Sequence, residues 1–355
     1  MPKKFTHLRA TALALGASAL LAGVAFADPV RLLESGSSLL FPMFQNQWVP
    51  GYNKAHPDVV ISPQAGGSGK GIADAIAGIV QIGGSDAYLS DPQVAQNPGL
   101  LSIPLAVSSQ TVDFNIPGWN AAKRMVLSGP VLAGIYQGTI RNWNDPAIAR
   151  LNPGVALPAN PIVPIRRSDG SGDTFIFTQF LAASAGPAWT LHYGTTINWT
   201  AVPGEVGAQG NPGMVSTAGS VPYSIAYIGI SSRAAARTAR LHEVALINQA
   251  GKAVIDSPQT TAAAVAATAA KTPADERTSL IFGPGADSYP IINYEYAIAK
   301  QAQPSPDVAA QLKGFLTWVI SPAGGNAPAM LDAASFGPLP AAVRAKSVAQ
   351  INSIH

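Results

Sequence analysis

Short apolar runs alternate with stretches of helical spacing along most of this chain. Val30–Leu33, Val59–Ser62 and Ile162–Ile165 read as strands, and Gln81–Asp86 reads as a strand passing into a loop. Between them lie helical stretches: from the turn at Gly36–Pro42 to about Lys54, over Ile72–Ile79, and from Phe175 onward. Strands separated by helices at this spacing predict an α/β fold with a mostly parallel sheet. Leu101–Asn115 and Tyr289–Ala299 differ: both are apolar without helical spacing, and both read as long extended segments. Near the end, Ser305 followed by Pro306 predicts a capped helix over Ser305–Val319, and a second helix is predicted over Pro340–Ile354. The Ala-rich stretch Ala262–Ala270, between Thr260-Thr261 and Pro273, also reads as a helix.

The first 27 residues stand apart. Lys3, Lys4 and Arg9 precede an apolar run from Ala12 to Phe26, and Ala25-Phe26-Ala27 has the A-x-A form of a cleavage site. That predicts a signal peptide over 1–27 and an exported protein starting at Asp28. The run is shorter than the roughly 18 residues a membrane span needs. No Cys follows it, which excludes a lipid anchor at that point. The leader also alters the charge balance. The whole chain has 22 Lys+Arg and 19 Asp+Glu; without the three leader basics, 19 of each remain. Nothing in that balance supports a nucleic-acid partner or recruitment to an anionic membrane. With no Cys at all, disulfides, thiolate metal sites and Cys nucleophiles are excluded. Stability has to come from core burial, and the length favours two domains.

The candidate chemistry centres on Arg166-Arg167-Ser168-Asp169-Gly170-Ser171-Gly172-Asp173-Thr174, placed between a strand and a helix. The first turn of a helix leaves backbone N–H groups without internal partners, and the helix dipole puts partial positive charge there. Small residues admit a ligand close to that backbone, and an adjacent Arg adds a planar fork of donors. The stretch is a place to hold an anion, or else an ordinary helix start capped by Ser171 or Asp173. Three further Gly/Ser loops follow strands, at 36–38, 66–69 and 83–85. In α/β sheets ligands bind outside the carboxyl ends of strands, so four such loops point to one anion clamped by backbone donors. Other chemistries fail on the same residues. In the 65–71 loop, Gln64 and Gly71 stand where a nucleotide loop needs Gly and Ser or Thr. The G-x-S-x-G nucleophile pattern fails at Ser68, where Lys70 replaces a glycine, and at Ser171, where Asp169 and Asp173 do. His56, His192, His242 and His355 are isolated, which argues against a metal centre.

Several segments recur in this order in one family. They are Phe41-Pro42 after the Gly/Ser turn, Gly67-Ser68-Gly69, Gly83-Gly84-Ser85-Asp86-Ala87 with Leu89-Ser90-Asp91, and Arg166–Gly172. The likeness continues through Val131–Ile140, Trp143-Asn144-Asp145-Pro146, Leu151–Gly154, Pro290–Tyr296 and Phe315–Trp318. The chain resembles the periplasmic phosphate-binding proteins of bacterial high-affinity phosphate ABC importers. The resemblance implies a type II periplasmic binding fold: two lobes, each a mixed, mostly parallel sheet flanked by helices, joined by two crossing strands. Lobe one would hold 28–107 and 290–355, lobe two 108–289. It further implies a monomer that carries inorganic phosphate to a permease and its ATPase, without cofactor, metal or catalytic residues.

Carried over residue by residue, the family's phosphate contacts fall on the backbone N–H groups of Leu40 and Phe41, on Ser68 and Asp86, on Arg167, and on Ser171 and Gly172. Asp169 is placed to pair with Arg167. Leu40 stands where the family commonly has a hydroxyl, which Ser37 or Ser38 would have to replace. Asp173 stands where Thr is frequent, and is expected to accept a second phosphate proton or else to cap the helix. Asp86 explains selectivity by proton counting. Monohydrogen phosphate has an O–H for a buried carboxylate to accept; sulfate has none and would leave that carboxylate unpaired. Sites built to bond a hydroxyl reject analogues lacking it by roughly 10⁴–10⁵. Two alternatives stand beside this one. A secreted phosphoester hydrolase could use Ser171 or Ser68 as nucleophile, though no general base or metal cluster accompanies them. A receptor for another oxyanion, such as arsenate or sulfate, would use the same clamp.

Overall fold

The computed structural model describes residues 1–2 and 29–355; beyond Met1 and Pro2, the leader expected at 1–27 lies outside the described residues. The first strands are β1 (Val30–Gly36), β2 (Val59–Ser62), β3 (Ile82–Ser85) and β4 (Leu100–Asn115). The middle of the chain supplies β5 (Val126–Leu127), β6 (Val163–Arg167), β7 (Val206–Ala208) and β8 (Ser224–Gly229). β9 (His242–Glu243), β10 (Ala245–Ile247), β11 (Ala253–Val254) and β12 (Ile292–Lys300) follow. Nine strands make one mixed sheet in the order β2-β1-β3-β12-β4-β8-β6-β7, with β9 also on β4. β5, β10 and β11 form a separate small sheet.

The two extended runs foreseen from their lack of helical spacing are β4 and β12. β4 changes partner along its length: Leu100–Ser109 pair antiparallel with β12, and Gln110–Asn115 pair antiparallel with β8. It therefore joins a first half-sheet of β1, β2, β3 and β12 to a second of β6, β7 and β8. Within each half the βα crossovers give parallel pairs, β1 with β2 and β3, and β6 with β7 and β8. Both faces of β4 and β12 are covered, which is why their residues read as continuous apolar runs rather than alternating ones.

Helices cover the sheet where the periodicity predicted them, with three boundary differences. The helix expected over Ile72–Ile79 begins at Ser68, because Gly67 takes φ +87° as its N-cap and so starts the helix four residues earlier. The Ala-rich helix spans Pro258–Thr268; Ser257 and Thr260 form a reciprocal cap ahead of the alanines. The first helix, Phe41–Asn53, widens to a π turn at Phe44–Trp48, just before Pro50, which has no N–H to donate. Helix Pro306–Val319 is capped by Ser305 as expected and returns to the first half-sheet. There Phe315 and Trp318 pack against Phe44 and Tyr52. The second half has its own aromatic core, with Tyr227 stacked on Phe177 and Tyr136 edge-on to Phe177. The buried apolar residues run continuously through both halves, and the strand ends that carry the Gly/Ser loops meet between them.

Candidate anion-binding site

β6 ends in Arg166-Arg167, and strand alternation sends the two side chains to opposite faces. Arg166 turns outward and pairs with Glu205 at 2.9 Å. Arg167 turns inward and is buried. Its Nε donates to Asp169 Oδ1 at 2.7 Å, one terminal nitrogen donates to Asp169 Oδ2, and the other donates to Asp173 Oδ2 at 2.6 Å. The backbone N–H of Arg167 is held by the Tyr227 hydroxyl at 2.9 Å. Burial alone would lower the guanidinium pKa, but the hydrogen bonds from Asp169 and the charges of Asp173 and Asp169 outweigh it and raise it above the ordinary Arg value. A guanidinium carries five N–H donors, so two remain for a ligand.

The loop beyond β6 opens helix Gly172–Ala185. Ser171 is its N-cap, accepting from the Thr174 N–H at 3.2 Å, so the capping role falls to Ser171 and not to Asp173. The Ser171 N–H donates to Thr195 O at 2.8 Å, which leaves its hydroxyl proton and the Gly172 and Asp173 N–H groups as the donors of this turn. Gly172 cannot be exchanged for a larger residue: a Cβ there would collide with the Asp86 carboxyl and the Ser68 hydroxyl. That contact brings the loop after β6 directly against the loops after β2 and β3.

Ser68 begins helix Ser68–Ala77, and its Oγ accepts from the Asp86 N–H at 3.1 Å. Asp86 lies just past β3 and is 1% exposed. Its Oδ1 accepts from the Ser37 hydroxyl. Ser37 Oγ in turn accepts from the N–H groups of Leu39 and Leu40 at 3.0 and 3.1 Å. Burial pushes the Asp86 carboxyl up, opposed by hydrogen bonding from Glu295 and Ser37, by the Arg167 charge and by Ser68.

The structure therefore gathers Ser68, Asp86, Arg167, Asp169, Ser171, Gly172 and Asp173 at one point, but it uses some expected contacts differently. The Phe41 N–H, expected to face the anion, donates to Ser37 O at 3.0 Å, and the Leu40 N–H donates to Ser37 Oγ; both are drawn into the turn that starts the first helix. Ser38, expected to support the anion, accepts from the Asn211 backbone N–H at 3.0 Å and from Asn211 Nδ2 at 3.2 Å, across the gap between the halves. Asp173, expected to accept a second proton from the anion, is already engaged. Its Oδ2 accepts from Arg167 and from Asn211 Nδ2 at 2.7 Å, and its Oδ1 accepts from Gln110 Nε2 at 3.1 Å. It is the internal counter-ion of Arg167. Burial and then the Asp86 charge push its carboxyl up to about 7, against Arg167, Gln110 and Asn211.

Gln110, Asn211, Tyr227 and Glu295 complete the site. Gln110 and Glu295 each left a trace as a polar residue inside an apolar run, and Glu295 lies in the recurring segment Pro290–Tyr296, but none was singled out as a site residue. The halves also touch directly: the Gly69 N–H donates to Gly170 O at 2.9 Å, and Gln179 Nε2 donates to the Tyr88 hydroxyl at 3.1 Å.

A family model described as a PBP superfamily domain matches residues 23–323. A protein of Methanocaldococcus jannaschii named phosphate-binding protein PstS is 33% identical over 313 residues, covering 82% of this chain and 79% of its own. The Pasteurella multocida protein of the same name is 31% identical over 318 residues, 89% of this chain and 88% of the relative. Among solved structures, a high-affinity periplasmic phosphate-binding protein called PfluDING, solved with phosphate bound, superposes with a TM-score of 0.72 at 22% identity, covering 90% of this chain and 93% of its own. A phosphate-binding protein from Stenotrophomonas maltophilia superposes with a TM-score of 0.68 at 21% identity, over 91% of this chain and 94% of its own. With this span matched, and with relatives above 30% identity along most of its length, the chain belongs to the PBP superfamily, in the family of the PstS phosphate-binding proteins.

Proposed function

We propose that this protein is an exported receptor that binds inorganic phosphate between two lobes and hands it to an ABC importer in the membrane. The lobes are 28–107 with 290–355, and 108–289; a signal peptide over 1–27 sends the chain to the periplasm. Asp86 is the observation that carries this reading. A buried carboxylate beside an anion site is unfavourable unless the anion brings a proton, and Asp86 already accepts one from Ser37. Ser37 Oγ takes in two backbone N–H groups and gives one O–H to Asp86, the pattern a protonated phosphate oxygen also satisfies.

Opposite Asp86, the two spare N–H groups of Arg167, the hydroxyls of Ser68 and Ser171 and the Gly172 N–H supply donors for the other oxygens. Because these groups come from both halves of the sheet, the anion binds best when the halves are together, and that differential drives closure. The closed form is the one a permease recognises. The names of the relatives support phosphate as the ligand. Ser68 and Ser171 have hydrogen-bond partners suited to holding a ligand, and among the described residues neither is hydrogen-bonded to a histidine.

Thermal unfolding of ligand-stripped protein tests the reading. Phosphate, and arsenate with the same proton, raise the midpoint in a concentration-dependent way, whereas sulfate does not. No shift with phosphate, or steady hydrolysis of a phosphate monoester by the pure protein, contradicts it.

A further inference from the structure

β3 and β12 run antiparallel with Gly83 opposite Ile298, Gly84 opposite Ala297 and Ser85 opposite Tyr296. Continued by one residue, that register sets Asp86 directly opposite Glu295. Directly opposed residues of an antiparallel pair share a face with side chains in contact range, and two like charges there repel. The register of β12 against β4 shifts between Glu295 and Tyr296, where the bulge re-aims the chain next to the site. Glu295 is fully buried. Its Oε1 accepts from the Ser108 hydroxyl of β4, and its Oε2 has no hydrogen-bond donor among the described residues. Asn293 Nδ2 donates to the Asp86 carbonyl and so fixes the backbone that carries Asp86.

We propose that Glu295 is a neutral carboxylic acid that donates its proton in a hydrogen bond to Asp86, and that this pair, rather than Asp86 alone, sets the preference for a protonated oxyanion. The inference rests on the phosphate-receptor reading for its functional half. An otherwise orphaned buried oxygen next to a carboxylate is satisfied if it carries the shared proton.

Charge points the same way. The groups facing the pair are Asp173 from helix Gly172–Ala185 and Arg167 from β6, and Arg167 is already committed to Asp169 and Asp173. Among the described residues, no further cation supports an ionised Glu295. Burial, the Asp86 charge and the hydrogen bond with Asp86 all hold the Glu295 proton well above the ordinary carboxyl range. With Glu295 neutral, Asp86 keeps a full negative charge and a fixed orientation, and its free lone pairs face the ligand. If Glu295 loses its proton to solvent, the donor becomes a second anion behind Asp86, and the added negative charge opposes the bound anion. Glu295 is therefore a positioning residue: it touches Asp86 and acts through it.

Two measurements on the full mature protein test this. In difference infrared spectroscopy of ligand-free protein near neutral pH, parent minus Glu295→Gln shows the carbonyl stretch of a neutral carboxylic acid; other buried acids such as Glu34 and Glu276 cancel in the difference. In calorimetry with inorganic phosphate, Glu295→Gln, which keeps a neutral donor, binds within about threefold of the parent at neutral pH, and Glu295→Leu, which has none, binds about tenfold or more weakly. As pH rises, the parent loses affinity faster than Glu295→Gln, the phosphate's own titration being common to both. Absence of the neutral-acid band, or superimposable affinity–pH profiles for parent and Glu295→Gln, overturns the inference. If the parent binds no phosphate, the receptor reading fails, while the infrared result still decides the state of Glu295.

Discussion

In the proposed phosphate site, Arg167 is the charge that attracts and Asp86 the charge that selects. Arg167 is positioned by Asp169, Asp173 and Tyr227, so its loss removes more than one ligand contact. Arg167→Ala leaves two carboxylates without their cation; it is expected to abolish phosphate binding and to lower stability by about 3–5 kcal/mol, read from the denaturant midpoint. Arg167→Lys keeps charge but not the fork, and binding should still fall sharply. Asp86→Asn acts the other way. An amide can donate to an unprotonated oxygen, so the ratio of phosphate to sulfate affinity should fall by about 10²-fold or more, measured by competition. An unchanged ratio would mean that selectivity lies elsewhere. At this scale the sequence was informative where a residue sat in a motif. Arg167, Ser171 and Gly172 were legible because a strand, a Gly/Ser loop and a helix announced them. Gln110 and Asn211 were not, and Glu295 was read only as part of a recurring segment, because each reaches the site from an element far along the chain, where only the three-dimensional register brings it near. The bonds of Asp173 were hidden for the same reason: its partners Gln110 and Asn211 had no sequence signature.

Elements decide how close the loops can come. The helix starts at Ser68 and Gly172 face one another, and Gly172 has no room for a methyl group. Gly172→Ala should therefore weaken phosphate binding by about 10²-fold, because Asp86 and Ser68 must move, while the rest of the fold survives. Ser305→Ala is the matching control: Ser305 caps the distant helix Pro306–Val319 by accepting from the Val308 N–H, so its removal should cost about 1 kcal/mol of stability and leave affinity unchanged. Element type was readable where apolar runs, helical spacing and caps were marked, since these are local signals; helices Gly129–Tyr136 and Gly210–Ser220 and strand β8 went unread. Helix starts were less so. Gly67 and Ser257 begin their helices ahead of the apolar periodicity, and periodicity reports the buried face rather than the first turn.

At the scale of the molecule, several acids are buried without a salt bridge among the described residues. Burial pushes Glu34 and Glu276 up to about 8 from an ordinary 4.5, with hydrogen bonds opposing it in each case. A carboxyl with a raised folded pKa contributes stability that is full below its unfolded value and is lost as pH climbs through the folded one. Ligand-free protein should therefore show a higher denaturant midpoint at about pH 5.5 than at about pH 8.5. Asp74 and Asp169 have lowered pKa values through Lys70, Ser35 and Arg167, but their effect falls below an ordinary 3.8, outside this window. A midpoint that rose with pH across the range would contradict these burial effects. The architecture itself was foreshadowed by two long apolar runs without helical period, which became β4, the strand joining the half-sheets, and its partner β12. How the halves sit against one another depends on contacts such as Gly69 with Gly170 and Ser38 with Asn211, which no local pattern encodes.

The central claim is that a buried carboxylate reads the proton of the bound anion. Titration calorimetry of mature protein, stripped of ligand by unfolding and refolding, tests it most directly, with phosphate and sulfate compared at two pH values. Tight one-to-one binding of phosphate with no sulfate heat is the predicted result. Comparable binding of both anions would contradict the role given to Asp86 while leaving the clamp in place.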